Sequence, residues 1–166
     1  MKRINKRVWM CTAMLAVALL QGGTRSLAAS TTEENVATIK FANKGSNDAP
    51  GKTCTKNVSW NHTGSYNLAD MDCKNDEAYF YMFENVPSAM KIMLSSEKDC
   101  NKNKDNWEFE MISFKHPLTM DNWKRISDLK GMVAGQIIVP GLKLTREDYD
   151  HGNIDGKLSC FTIDRP

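Results

Sequence analysis

The sequence predicts a mainly β fold, an antiparallel Greek-key sandwich of about seven or eight short strands with one short helix. Three observations carry this expectation. Short runs that alternate apolar and polar residues recur along the chain at close intervals. Only one stretch, Thr119 to Lys130, sets apolar residues at helical spacing. The third and faintest is that Met90 to Ile112 and Leu142 to Ile163 share a pattern of alternating strand, Asp/Asn/Lys loop and second alternating strand, which two Greek-key halves could produce and which any two hairpins could share by coincidence.

The elements follow in order. Residues 30–36 are polar and read as a flexible N-terminal segment, so the domain proper is 37–166. Ala37 to Ala42 alternates, with Ile39 and Phe41 on one face. Asn43 to Lys52, rich in Gly, Asn, Asp and Pro, is a loop by composition. Lys52 to Trp60 spaces Cys54, Val58 and Trp60 evenly, so one face of a strand carries all three. Asn61-His62-Thr63-Gly64 turns the chain into the short extended piece Ser65 to Leu68. After the acidic segment Asp70 to Glu77, the apolar run Ala78 to Phe83 reads as a strand buried on both faces. Pro87 ends it, because proline has no N–H to give to a ladder.

Met90, Ile92 and Leu94 share a face, and Trp107, Phe109 and Met111 share another, set against Glu108 and Glu110. With the polar stretch Ser95 to Asn106 between them, these runs form a hairpin with a long loop. In the helical candidate Trp123, Ile126 and Leu129 make the apolar stripe, Thr119 or Asp121 caps it and Gly131 stops it. Gln136 to Val139 and Lys157 to Ile163 close the fold as strands, the latter with Leu158, Cys160 and Thr162 opposite Ser159, Phe161 and Ile163.

Residues 1–29 have the form of a cleaved signal peptide. Lys2, Arg3, Lys6 and Arg7 precede an apolar run from Val8 to Leu20, and Ser26-Leu27-Ala28-Ala29 offers small residues to a peptidase. The expectation is an exported protein, periplasmic or secreted, in the style of a bacterial leader. That run is short for a bilayer span and no second one follows, so no membrane span is expected in the mature chain. Loss of the leader removes five of 22 basic residues and none of the 20 acidic ones, which moves the formal charge from +2 to −3. Nucleic acid is therefore not an expected partner, since its binders carry a basic patch. One domain, as a monomer, fits the length.

Cys54, Cys73, Cys100 and Cys160 remain after cleavage. An even count in an oxidising compartment reads as two disulfides, with three connectivities open. We favour Cys54–Cys73, which closes a local loop, and Cys100–Cys160, which ties a mid-chain hairpin to the last strand. Each would stabilise by roughly 2 to 4 kcal/mol. No Cys-x-x-Cys pair is present.

Gly64-Ser65-Tyr66-Asn67-Leu68 and the later Ser88-Ala89-Met90-Lys91-Ile92 together resemble the Greek-key motif of bacterial βγ-crystallin-like domains, a glycine–aromatic hairpin followed by a Ser-x-x-hydrophobic strand. Many members of that family bind calcium through two Asp/Asn residues followed, after a two-residue gap, by Ser or Thr. The resemblance therefore implies a calcium candidate at Glu84, Asn85 and Ser88. Glu84 departs from the pattern and Pro87 stiffens the loop, so an ordinary strand-ending turn is the competing reading.

A second calcium candidate comes from spacing alone. Asp99, Asn101, Asn103 and Asp105 alternate in one loop, and Glu110 follows Asp99 at the interval of an EF-hand ligand set. Lys104 stands where the turn glycine belongs, Lys102 adds a second positive charge, and the flanks read as strands. A solvated hairpin loop is the reading those features favour, and no cofactor is expected. Asp148, Asp150, Asn153 and Asp155 form another oxygen-rich loop, of the composition that turns favour.

His62, His116 and His151 lie far apart in sequence. Brought together beside carboxylates, they could do acid–base work, the basis for an alternative reading as a small secreted hydrolase or toxin. Trp60, Trp107, Trp123, Tyr66, Tyr79 and Tyr81 suffice for an aromatic binding face, although core packing claims aromatics first. The leading expectation is a non-enzymatic binding domain for an unidentified protein or glycan, an envelope interaction, inhibitor or immunity protein. A calcium-stabilised crystallin-like module is the other alternative.

Overall fold

A computed structural model of the chain describes residues 35–74, 76–100 and 106–165. The expected leader 1–29 lies outside the described residues, as do Asn101, Asn103 and Asp105 of the second calcium candidate.

Among the described residues, ten strands form two antiparallel sheets. The smaller sheet contains β1 (Val36–Lys44), β2 (Pro50–Ser59), β4 (Phe80–Glu84) and β7 (Lys124–Arg125), in the order β2-β1-β4-β7. The larger contains β3 (Gly64–Asn67), β5 (Lys91–Ser95), β6 (Trp107–Ser113), β8 (Ile137–Val139), β9 (Leu142–Tyr149) and β10 (Cys160–Asp164), in the order β3-β10-β5-β6-β9-β8. Period-two patterning explains the inner faces. Ile39 and Phe41 of β1, Ile92 and Leu94 of β5, and Trp107, Phe109 and Met111 of β6 are all buried in one core. Phe41 meets Phe161 of β10 across the two sheets, with ring centroids 5.2 Å apart. The architecture is that of a β-sandwich.

β5 and β6 pair as the expected hairpin, Leu94 opposite Phe109. β9 and β10 do not pair with each other. They flank that hairpin on opposite sides, so the repeated pattern in the sequence is not a repeated hairpin. The chain between β6 and β9 also visits the other sheet as β7 and adds the edge strand β8.

The helical candidate 119–130 resolves into β7 followed by a single 3-10 turn, Ile126–Leu129. Ile126 and Leu129 are buried as the spacing implied, but one turn suffices to bury both. The Phe80↔Arg125 and Tyr81↔Lys124 pairings, with the Ile126 N–H donating to Tyr79 O at 2.9 Å, hold the preceding residues extended. Sheet pairing therefore outweighs a modest helical propensity. Gly131 does follow with φ +79°, as a terminating glycine should.

The outer face of the larger sheet is not uniformly solvated. Met93, Ser95, Glu108 and Cys160 point away from the core, yet all are buried. The turn Lys98–Cys100 crosses this face over β3, β5 and β10. Glu108, set by alternation on this outer face, is only 7% exposed and accepts a hydrogen bond from Arg146 Nη2 at 2.8 Å. The same nitrogen lies 3.2 Å from Met93 Sδ.

Candidate functional site

Strand register gives the sandwich two ends. At one, the Asn85 side-chain amide donates to Val36 O at 2.8 Å, and Trp60 Nε1 donates to Asn85 O at 2.8 Å. The Asn85 N–H donates to Thr119 Oγ1 at 3.0 Å, and its backbone sits at φ +53°, a conformation that Asn tolerates better than most residues. Glu84 carries an ion pair with Lys40 at 2.5 Å, and the Ser88 N–H donates to His116 Nδ1 at 3.4 Å. Glu84, Asn85 and Ser88 are thus each engaged with different protein groups: Asn85 as a corner that ties β1, β2 and β4 together, Glu84 in a cross-strand pair.

Of the second calcium candidate, Asp99 lies in the turn Lys98–Cys100, and Glu110 accepts a hydrogen bond from Thr145 Oγ1 at 2.8 Å. Among the described residues no three His, Cys, Asp or Glu side chains cluster as metal ligands do.

The histidines divide between the ends. His116 follows β6 and packs edge-on against Trp60, ring centroids 4.9 Å apart. His62 lies in the turn before β3, 6.0 Å from the Tyr66 ring. His151 follows β9 at the opposite end of the sheet, 3.1 Å from Asp150. The aromatics divide too. Trp107 and Tyr81 are core residues, whereas Trp60, Tyr66, Tyr79 and Trp123 are half-buried in separate places. Burial raises the Tyr66 phenol above the usual tyrosine value.

The opposite end is built from the segments 43–52, 72–74, 76–79 and 150–157. β1 is irregular between Ala42 and Lys44, so the ladder with β2 parts here. Gly51 allows the close approach that follows, since a Cβ there would stand 2.3 Å from Asn43 Oδ1. Gly156, at φ +68°, lets the 150–157 loop lie against the Tyr79 ring, which a Cβ would meet at 2.9 Å. Tyr79 in turn donates its N–H to Ala42 O at 2.9 Å.

A cavity of about 230 Å³ opens at this end. Phe41, Ala42 and Ala78 form its apolar floor, and the Cys54–Cys73 bridge, Asn43 and Thr53 line it further. Lys52, Asp72, Lys74 and Glu77 stand around it. Lys74 and Glu77 pair with each other at 3.7 Å, while Lys52 and Asp72 have no ion-pair partner among the described residues.

Beside the cavity runs a charged chain. Lys44 meets Asp48 at 2.5 Å, Arg125 reaches Asp48 at 3.2 Å and Asp155 at 3.6 Å, and its guanidinium lies over the Phe80 ring. Hydrogen bonds from Lys44 and then Arg125 hold the Asp48 carboxyl below the usual carboxylate range, and Asp48 raises Lys44 in return. Asp76 accepts from Ser159 Oγ at 3.2 Å and lies 3.8 Å from Lys157.

The two cysteine pairs sit at disulfide distance, Cys54 with Cys73 at a Cα separation of 5.4 Å and Cys100 with Cys160 at 5.2 Å. Both are compatible with an oxidising compartment. Among the described residues no helix is long and apolar enough to cross a membrane.

Sequence reasoning singled out the two cysteines of this cavity but none of its other walls. Those walls come from three distant segments brought together by register, and no local spacing announces that. Compared with known proteins, the chain matches no family model, no curated protein and no solved structure.

Proposed function

We propose that this chain is an exported, non-enzymatic binding domain that engages another protein through the cavity end of the sandwich, receiving one partner side chain in the cavity. The observation that carries this reading is the cavity itself. Its apolar floor of Phe41, Ala42 and Ala78 lies within a more polar surround that carries four charged residues, so an anchor can bury its tip while the polar groups fix its orientation. Its volume lies below the roughly 300–1,000 Å³ of sites that enclose a whole drug-sized ligand, which favours a single anchoring side chain. Lys52 and Asp72, without ion-pair partners among the described residues, offer one charge of each sign on the rim to a polar surround. The hydrolase reading draws less support, because β6 and β9 set His151 at the end opposite to His62 and His116.

Thr53 is exposed and lines the cavity, so Thr53→Trp blocks the mouth without touching the core. The test is comparative co-purification from the producing cell, with wild type, Thr53→Trp and, as a control on the far edge strand, Ile137→Ser. A protein retained by wild type and control but lost with Thr53→Trp supports the proposal. One retained equally by all three refutes it.

A further inference from the structure

We propose that the Cys54–Cys73 bridge is a thiol-exchange site that gates this cavity, opened by a small thiol or a protein dithiol while Cys100–Cys160 stays closed; the gating part rests on the cavity being the binding site. Three observations place it there. First, a cavity opens onto this bridge. Each bridge pairs a buried cysteine with a half-buried one, Cys54 with Cys73 and Cys160 with Cys100, but Cys54 and Cys73 both line the cavity, whereas Cys160 is fully buried beneath the crossing turn Lys98–Cys100.

Second, the surroundings favour departure of the Cys54 sulfur. Lys52 lines the cavity together with Cys54, and Lys52 and Lys56, two residues before and after it, share its face of β2, a cationic setting that favours a thiolate there. Lys56 Nζ lies 4.9 Å from the Tyr66 ring centroid, which keeps it on that face. Asp72 and the paired Glu77 supply the opposing charge, on the Cys73 side.

Third, the bridge is the main tether of one cavity wall. The segment that carries Cys73 is anchored by Met71 N–H to Leu68 O at 3.1 Å on one side and Tyr79 N–H to Ala42 O at 2.9 Å on the other. Between these anchors, among the described residues, Asp76 reaches out to Ser159 and Lys157 and Ala78 packs into the core.

The exchange balances in two steps. An external thiolate attacks the accessible Cys73 Sγ, the Cys54–Cys73 bond breaks, and its electron pair leaves on the Cys54 sulfur, which takes a proton from solvent. A second external thiol, or the second sulfur of a dithiol, then attacks the outer sulfur of the mixed disulfide and releases Cys73 as a thiol. Two external thiols become one disulfide, and the protein gains two electrons and two protons. With the wall untied, the cavity loses its shape.

The folded protein is titrated with dithiothreitol, quenched with an alkylating reagent and mapped by peptide mass spectrometry, with hydrogen exchange read at each step. Cys54 and Cys73 should be labelled at dithiothreitol concentrations on the order of tenfold below those that label Cys100 and Cys160. At that step the amides of Lys74, Asp76 and Glu77 should exchange about tenfold faster while β5 and β6 keep their protection. Lys52→Gln should slow the opening. Opening of Cys100–Cys160 first, opening of both bridges together, or unchanged exchange at 74–77 overturns the proposal. None of these readouts needs a partner, so their failure leaves the binding reading standing. Partner retention by Thr53→Trp would sink that reading without bearing on the order of reduction.

Discussion

Replacing Tyr81 by Phe should stabilise this protein. Tyr81 is fully buried on the inner face of β4, its ring centroid 5.2 Å from that of Phe83, and its hydroxyl oxygen has no hydrogen-bond partner among the described residues. A buried polar group left unpaired costs about 1–3 kcal/mol relative to its hydrated state. Removing one oxygen leaves a small void, worth about 0.3 kcal/mol at roughly 24 cal/mol per Å³. The net expectation is a gain of about 1 kcal/mol. With an unfolding entropy of about 2.1 cal/mol/K per residue over some 130 residues, that raises Tm by about 4 °C. Urea and thermal unfolding of wild type and Tyr81→Phe, with both disulfides intact, measure it. Burial, with a smaller contribution from Asp128, also pushes the Tyr81 phenol well above the usual tyrosine value, so it should give no phenolate absorbance while the fold persists. A loss of 1 kcal/mol or more in Tyr81→Phe would refute the reasoning, because it would mean that the hydroxyl is bonded in the native state.

Two further outcomes follow from charged groups. Arg146→Met strands the Glu108 carboxylate, which is 7% exposed, and should cost about 2 kcal/mol, a figure below that of a fully buried pair because Arg146 is a third exposed. The double replacement Glu108→Leu/Arg146→Met should recover most of this loss in the same unfolding assay, and a double variant as unstable as the single one contradicts the account. The Asp48 carboxyl titrates below its unfolded value, so its contribution to stability is present above the unfolded pKa and is lost as pH falls through the lower folded one. An NMR titration should find Asp48 below the ordinary carboxylate range in wild type and nearer to it in Arg125→Gln.

Much of the sandwich was legible because period two is a local signal. Ile39 and Phe41, the Met90 to Leu94 run and the Trp107 to Met111 run each announced the face they bury. The segment 119–130 was not legible, because Ile126 and Leu129 at a spacing of three fit a single 3-10 turn as well as a helix, and the pairing of Arg125 with Phe80 decides between them across 45 residues of chain. The burial of Glu108 was not legible for a related reason: alternation correctly placed it on the outer face, but Arg146, which lies against it and against Met93, comes from another strand. The cavity was legible only through the preferred Cys54–Cys73 pairing. Its floor, Phe41, Ala42 and Ala78, is ordinary strand sequence until the irregularity after Ala42 opens the ladder.

The most direct measurement of the central claim is site-specific photo-crosslinking in the producing cell. A photoreactive residue is placed at Lys52, on the cavity rim, or at Lys143, on the larger sheet away from it. The account predicts a discrete adduct with one protein from position 52 and none from 143. An adduct from 143 with none from 52 would contradict it.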